Sequence, residues 1–227
     1  MIEQAGDAGE VSAIGESRWP PVIAMLLFMA VHVTVHVWLP ETSEVRVHWL
    51  VPTLEGILIL ALLTVNPSGP LEARRRHLGA LGIVVVLVLA ALWATGILIR
   101  DLILGVGVAQ EAGYLLAAAV VVWFGNNLAF ALLYWLIDAG GPLARASGRG
   151  GLPDFAFTQQ MSPELSPPGW RPVFLDYLHL GFTNATAFSP TDVMPLTHRA
   201  KYTMLVQSSV ALALFALVVA RAVNAFT

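Results

Sequence analysis

The sequence contains no cysteine among its 227 residues, which excludes disulfides, thiolate chemistry and cysteine-ligated metals. Charge is also scarce: 12% of the residues are charged, whereas a soluble domain carries about 25%. The formal net charge of -3 shows no basic excess of the kind that nucleic-acid binding requires. A water-soluble catalytic domain of any size is therefore not expected, and we predict that the protein is not an enzyme.

Hydrophobic residues make up 57% of the chain and occur in long blocks separated by charged turns. A bilayer imposes this pattern, because a spanning helix needs about 20 apolar residues. The sequence predicts an all-α, polytopic protein of the cytoplasmic (inner) membrane. A polar tail covers residues 1–18. A region of four transmembrane helices follows at residues 19–137, with spans at 20–39, 47–65, 78–99 and 113–137 and an interfacial linker at 102–110.

The part of the chain after the fourth span has a different composition. Residues 138–172 are rich in glycine, proline and arginine and are predicted to form a polar loop over the membrane face. The apolar block at residues 173–187 is roughly 22 Å long as a helix, less than the ~30 Å hydrocarbon core. We predict a short re-entrant or buried helix there, then a turn and a fifth span at 201–226, so that residues 173–227 form one module.

The most specific pattern in the chain runs from Phe174 to Asn224. It resembles the pore module of the potassium-channel superfamily, in which a pore helix drops into the membrane, a filter follows, and an inner helix ends in Ala-Arg-x-Val. The whole chain also resembles a group of bacterial five-helix membrane proteins of unassigned activity. The matching positions of the pore module are Tyr177, Phe182, Thr183, Thr186, Asp192, Pro195 and Arg221.

The filter itself departs from that family. Where the family has Thr-Val-Gly-Tyr-Gly, this chain has Ala187-Phe188-Ser189-Pro190-Thr191. Potassium filters line the pore with backbone carbonyls, and their glycines permit backbone angles that serine and threonine rarely adopt. Pro190 also fixes φ and removes a donor. We therefore predict a non-potassium filter.

In a homotetramer, rings of hydroxyl and carboxylate groups would then form the constriction. Its residues would be Thr186, Ala187, Phe188, Ser189, Pro190, Thr191 and Asp192, with Gln207 and Ser208 lining the pathway below. Cationic residues follow closely at His198, Arg199 and Lys201, so the sign of the permeant ion stays open. The simpler alternative is a turn in which Asp192 caps the next element. Asp138, in the predicted loop, is expected to lie far from the constriction.

Several polar residues fall inside the predicted spans, where an ionisable side chain is a candidate for function. His32 and His36 are four apart on one helical face, which suits a metal ion or haem iron, or else an interfacial, hydrogen-bonded role. Glu55 is predicted to carry a proton or bind a cation, or to be a neutral carboxyl bonded to a neighbouring helix. Asn126 and Asn127 are predicted to bond across helices. No cofactor is expected.

The distribution of lysine and arginine predicts an orientation. With a cytoplasmic N-terminus, nine of the twelve cationic residues fall on the cytoplasmic side, as the positive-inside rule requires. The three outside are Arg46, Arg100 and Arg221. Ordinary potassium channels carry the pore loop on the outer side, so this arrangement predicts an inverted pore loop.

Three functions are compatible with these patterns. The first is an ion channel or channel-like protein that assembles with itself in the bilayer and passes an inorganic ion. The second is a non-conducting scaffold or sensor that keeps the channel fold and uses residues 138–172 as a docking face. The third is a haem- or metal-binding membrane protein that uses His32, His36 and Glu55. It lacks a complete ligand set in the sequence.

Overall fold

The computed structural model describes residue 17 and residues 19–38, 50–63, 70–186 and 192–225. Within these ranges nearly all regular structure is helical, with one short antiparallel ribbon, so the predicted all-α class is confirmed. In chain order the elements are α1 (Trp19–Trp38), α2 (Leu50–Leu63), α3 (Pro70–Leu104), α4 (Ala112–Ile137), α5 (Pro142–Ala146), β1 (Phe155–Phe157), α6 (Thr158–Met161), α7 (Phe174–Thr186), β2 (Val193–Pro195) and α8 (His198–Ala225).

Three of the described helices are long and apolar enough to cross a membrane. They cover Leu71–Leu104, Ala112–Gly140 and His198–Arg221, and they correspond to the third, fourth and last predicted spans. Two further apolar helices, Trp19–Thr34 and Val51–Leu63, are shorter. Length and composition thus fit a helical membrane protein, as the sequence predicts.

The ends of the long helices α3, α4 and α8 meet in two regions, one at either end of the three helices. Arg199 Nη2 at the start of α8 donates to the carbonyl of Ile137, the last residue of α4 (3.2 Å). A Cβ added at Gly141 would lie 2.7 Å from the His77 imidazole near the start of α3. We call this the Asp138 end. At the opposite, Asp101 end, Arg221 Nη2 donates to the Ala109 carbonyl, just before α4 (3.2 Å).

Helix α4 is the centre of the molecule, since residues 125–136 are all buried. Neighbouring helices approach α4 closely where its residues have small side chains. A Cβ at Gly125 would lie 2.7 Å from Cζ of Phe28 in α1. The outer helices instead leave large apolar side chains exposed, including Trp93 on α3 and Leu205 and Phe215 on α8. Exposed apolar surface of this extent suits lipid or a further protein surface.

Helix α3 continues to Leu104, beyond Arg100 and Asp101, where the third span is predicted to end. The chain turns only where the backbone N–H of Val106 donates to the Asp101 carbonyl (3.1 Å). Gly105 and Gly107 have positive φ, which glycine adopts without steric cost. Charged residues limit the apolar stretch that fits a bilayer, but they do not stop a helix from continuing beyond it.

Residues 138–172, predicted to form a polar loop, contain short helices and one strand, and Asp138 contacts Tyr177 of α7. Strand β1 in this segment pairs antiparallel with β2, the strand that precedes α8, in the register Ala156↔Met194. Asp138, Asp154 and Phe155 are buried. Hydrogen bonds with residues far along the chain hold the segment, and local sequence gives no sign of them. This segment is therefore an attached layer over the start of α7 and α8.

Candidate functional site

Helix α7 lies along α4, from its C-terminal end to its middle. Near the beginning of α7, the hydroxyl of Tyr177 donates to Oδ2 of Asp138 (2.5 Å). Further on, a Cβ at Gly181 would lie 3.2 Å from the carbonyl oxygen of Asn127. The rings of Phe182 and Trp123 are 5.4 Å apart and nearly perpendicular. Since a helix rises about 1.5 Å per residue, the 13 residues of α7 descend roughly 20 Å beside α4.

The chain then returns to the end from which it came. The backbone N–H of Thr158 donates to the Asp192 carbonyl (3.2 Å), and that of Leu196 donates to the Asp154 carbonyl (2.7 Å). Oδ2 of Asp192 lies 3.1 Å from Nε2 of His179 on α7. Both limbs of the segment 174–196 are therefore anchored at the Asp138 end. The predicted filter residues Ala187, Phe188, Ser189, Pro190 and Thr191 lie outside the described residues.

Asp154 fastens the returning limb to α8. Its fully buried carboxylate accepts two hydrogen bonds from Arg199, from Nε to Oδ1 (2.6 Å) and from Nη2 to Oδ2 (2.5 Å). The hydroxyl of Thr197 donates to Oδ1 as well (2.5 Å). Burial by itself raises the pKa of Asp154, but the hydrogen bonds from Arg199 and Thr197 and the charge of Arg199 outweigh it, so the pKa is lowered. This bidentate pair fixes the start of α8.

Asp138, directly after α4, also joins separate parts of the chain at this end. Besides Tyr177, its carboxylate accepts hydrogen bonds from the backbone N–H groups of Asp154 (2.7 Å) and Phe155 (3.3 Å). Arg145 Nη1 donates to the Asp138 carbonyl (2.8 Å), and the guanidinium lies 5.1 Å from the centre of the Tyr177 ring. Sequence reasoning did not identify these residues as a unit. The only signal was an aspartate placed directly after a long apolar helix.

A second buried network joins α4, α7 and α8. Oε1 of Gln207 accepts hydrogen bonds from the hydroxyl of Tyr134 (2.7 Å) and from Nδ2 of Asn184 (2.8 Å). Nε2 of Gln207 donates to the Gly181 carbonyl (2.9 Å). Gln207, predicted to line a pathway, is thus enclosed within one chain. Ser208, the other predicted lining residue, is half-buried and donates to the Leu205 carbonyl of its own helix (3.2 Å).

The two asparagines of α4 are buried and differ in their partners. Asn126 Nδ2 donates across to Oγ1 of Thr95 on α3 (2.7 Å) and to the Val122 carbonyl (2.9 Å). Asn127 Nδ2 donates within its own helix, to the Trp123 carbonyl (3.0 Å). The Oδ1 atom of each is buried with no hydrogen-bond partner among the described residues. Asn126 therefore ties α4 to α3, whereas Asn127 lies where α7 passes.

The histidine and glutamate predicted at membrane depth come together. Nδ1 of His32 in α1 lies 3.2 Å from Oε1 of Glu55 in α2, and both side chains are buried. His36 lies in α1, but its side chain is outside the described part of the structure. Within that part, no three histidine, aspartate or glutamate residues are grouped so that they could hold a metal ion.

The hydroxyls of Thr186, which is predicted to lie at the constriction, and of Thr183 both donate within α7. Thr186 Oγ1, at the last residue of α7, donates to the Phe182 carbonyl (2.8 Å), and Thr183 Oγ1 donates to the His179 carbonyl (3.0 Å). Thr186 is exposed. A hydroxyl that donates to its own helix keeps an acceptor lone pair free. Thr186 can therefore still offer oxygen to a cation.

Comparisons with models of known protein families, with curated proteins and with solved structures find no match for this chain.

Proposed function

We propose that this protein is a channel-like membrane protein of the pore-loop type, whose copies assemble around a shared ion pathway. One observation carries the proposal: α7 descends beside α4 only to its middle, and the chain returns to the Asp138 end at β2. A short helix with both limbs at one end of a set of spanning helices has the topology of a re-entrant pore loop. The predicted filter residues 187–191 join the two limbs in the sequence.

The polar groups on either side of the predicted filter suit a constriction made by side chains. Thr186 at the foot of α7 is exposed, and Asp192 begins the returning limb beside His179. On α8, Ser209 is exposed between the exposed residues Leu205 and Leu212. Because Gln207 is enclosed within the chain, the proposal assigns the wall of the pathway to Ser209 and its neighbours rather than to Gln207. The filter is of the non-potassium type.

Charge supports the proposed orientation, with the pore loop entering from the cytoplasmic side of the inner membrane. In the described ranges, eight lysine and arginine residues belong to the Asp138 end and two, Arg100 and Arg221, to the Asp101 end. The eight are Arg74, Arg75, Arg76, Arg145, Arg149, Arg171, Arg199 and Lys201. Cytoplasmic loops carry such an excess. With α1 and α2 as two further spans, the N-terminus is cytoplasmic too.

Assembly and flux test the proposal together. The purified protein should be a homotetramer about one axis in lipid nanodiscs, with α8 innermost, because a pore-loop segment encloses a pathway only when several copies surround an axis. The same sample in ion-loaded liposomes should release cations or anions faster than empty liposomes. A monomer in both lipid and mild detergent, or a tetramer without flux of either ion class, would contradict the channel proposal.

A non-conducting scaffold or sensor is the second candidate, and the enclosed Gln207 network favours it. The hydrogen bonds from Tyr134 and Asn184 to Gln207 close the space between α4, α7 and α8 within one chain. Hydrogen bonds of this kind within one chain can serve a purely structural role that requires no ion pathway. A stable oligomer that releases no ions would support this second function.

A further inference from the structure

Two titratable side chains from different helices meet between α1 and α2, apart from the pore-loop segment. Nδ1 of His32 lies 3.2 Å from Oε1 of Glu55, within ion-pair distance. His32 is 7% exposed and Glu55 is 3% exposed, so neither is in contact with bulk solvent. The packing of α1 on α2 brings them together. Such a buried pair at membrane depth calls for a chemical explanation.

The depth of the pair follows from Phe28, one turn before His32 in α1. The ring centroids of Phe28 and His32 are 4.0 Å apart. The Phe28 ring fills the space beside Gly125, where a Cβ would lie 2.7 Å from Cζ. Gly125 is near the midpoint of α4, which covers Ala112–Ile137. The pair therefore lies roughly 5 Å, one helical turn, from the middle level of the central helix.

The pair leaves bonding capacity unused. Nδ1 of His32 is near Oε1 of Glu55, but neither Nδ1 of His32 nor Oε2 of Glu55 has a hydrogen-bond partner among the described residues. Buried polar groups are costly unless they are bonded or neutralised. With one proton the pair has no net charge, whereas with none it is an anion and with two it is a cation. In apolar surroundings the singly protonated pair is the least costly of the three.

We propose that His32 and Glu55 form a proton-binding dyad at membrane depth, which takes one proton from water and holds it between imidazole and carboxylate. The proton adds to a lone pair of Nδ1 or of a carboxylate oxygen, and no bond of the protein breaks. The dyad is a separate site, and it stands whether or not the protein conducts ions.

The other titratable groups on the surrounding elements are engaged elsewhere or lie at helix ends. Helix α1 packs on α2, α4 and α7, and α2 packs on α3. On α4 and α7, Tyr134 bonds to Gln207, Tyr177 to Asp138, His179 pairs with Asp192, and Asp176 accepts from the Val173 N–H. Tyr114 is in the first turn of α4, and the charged groups and histidine of α3 are Glu72, Arg74, Arg75, Arg76, His77, Arg100 and Asp101.

Coupled titration tests the dyad in the full-length protein. Isotope-labelled histidine allows the imidazole nitrogens to be followed by NMR in lipid, and the His32 signal is assigned by its loss in His32→Gln. In Glu55→Gln the His32 nitrogen signals should respond to pH over a different range from that of the wild type, because the imidazole loses the carboxylate with which it shares the proton. Glu111→Gln, at the exposed start of α4, serves as the control and should leave the His32 titration unchanged.

Each result decides the question. An equal His32 titration in the wild type and in Glu55→Gln, or a His32 that stays in one protonation state in both, overturns the dyad. If Glu55→Gln does not fold, Glu55→Asp keeps a carboxylate on a shorter side chain. A changed His32 titration in that variant supports the dyad, and an unchanged one overturns it.

Discussion

Asp154 shows how a single side chain positions a whole helix. Its carboxylate has no solvent exposure, and Arg199 and Thr197 supply three hydrogen bonds from the first residues of α8 and the turn before it. The backbone carbonyl of Asp154 also accepts from the Leu196 N–H. One residue of the 138–172 segment therefore holds the part of the chain that leads through β2 into α8. Its ionisation state should matter for the fold.

The lowered pKa of Asp154 predicts acid sensitivity. A carboxyl whose pKa in the folded state lies below its ordinary value of 3.8 contributes stability that is fully present above pH 3.8. That contribution is lost as the pH falls through the lowered value, because the folded state must then take up a proton. The unfolding temperature of the wild type in detergent should therefore drop more steeply below pH 3.8 than that of Asp154→Asn.

Above pH 3.8 the order should reverse, with Asp154→Asn less stable than the wild type, since an amide pairs less strongly with Arg199 than a carboxylate does. Glu164→Gln, on an exposed turn, is the matched control and should follow the wild-type curve at every pH. Parallel pH curves for the wild type and Asp154→Asn would show that this pair contributes nothing to the acid response.

At the scale of elements, the seating of α7 on α4 depends on close contact at Gly181. A Cβ at this position would lie 3.2 Å from the Asn127 carbonyl oxygen and 3.5 Å from the Ala131 Cβ. The neighbouring oxygen belongs to the backbone of the central helix, which cannot rotate away as a side chain can. Larger side chains at Gly181 should therefore push α7 off α4 and disturb the Gln207 network.

We expect Gly181→Val to lower the free energy of unfolding by about 1–3 kcal/mol, the usual cost of overpacking. Gly79→Val, in α3, is the control, because nothing lies within 4 Å of a Cβ there. Denaturant titration of both variants in the same detergent measures the difference. Equal stabilities would mean that α7 shifts without cost and that its contact with α4 does not fix its position.

At the scale of the whole molecule, the proposed pore loop predicts weak ion selection. Under that proposal, Ser189, Pro190 and Thr191 stand where a potassium filter has Gly-Tyr-Gly, and they do not favour the backbone that aligns carbonyl oxygens. Any current through the reconstituted protein should lack a strong preference for potassium over sodium. Reversal potentials under bi-ionic gradients measure this, and a clear potassium preference would contradict the argument.

The same recordings test Asp192. If side chains form the constriction, Asp192→Asn should change conductance or ion preference, because it removes a ring of carboxylates. Asp138→Asn is not a suitable control, since Asp138 is buried against Tyr177 and the 138–172 segment. Glu164→Gln, exposed and distant in sequence, should leave the current unchanged. An unchanged current in Asp192→Asn would place the constriction elsewhere.

Sequence by itself determined the class of this protein and the approximate place of its long helices. A bilayer selects for local hydropathy, which can be summed along a sequence, so the blocks that became α3, α4 and α8 were visible from composition. The short apolar block at residues 173–187 was also visible from hydropathy. Its length showed that a helix there cannot reach across a membrane.

Only the tertiary structure decided which residues meet. Asp154 and Arg199, His32 and Glu55, and Tyr134 and Gln207 each lie on different elements, and no local spacing links them. Gln207 was predicted to line a pathway because it is a polar residue in an apolar helix. Hydropathy alone does not say which side of such a helix faces its own chain. Which side of a helix faces its own chain, and which distant residues pair, depend on how the helices pack. Packing is set by side-chain shape in three dimensions.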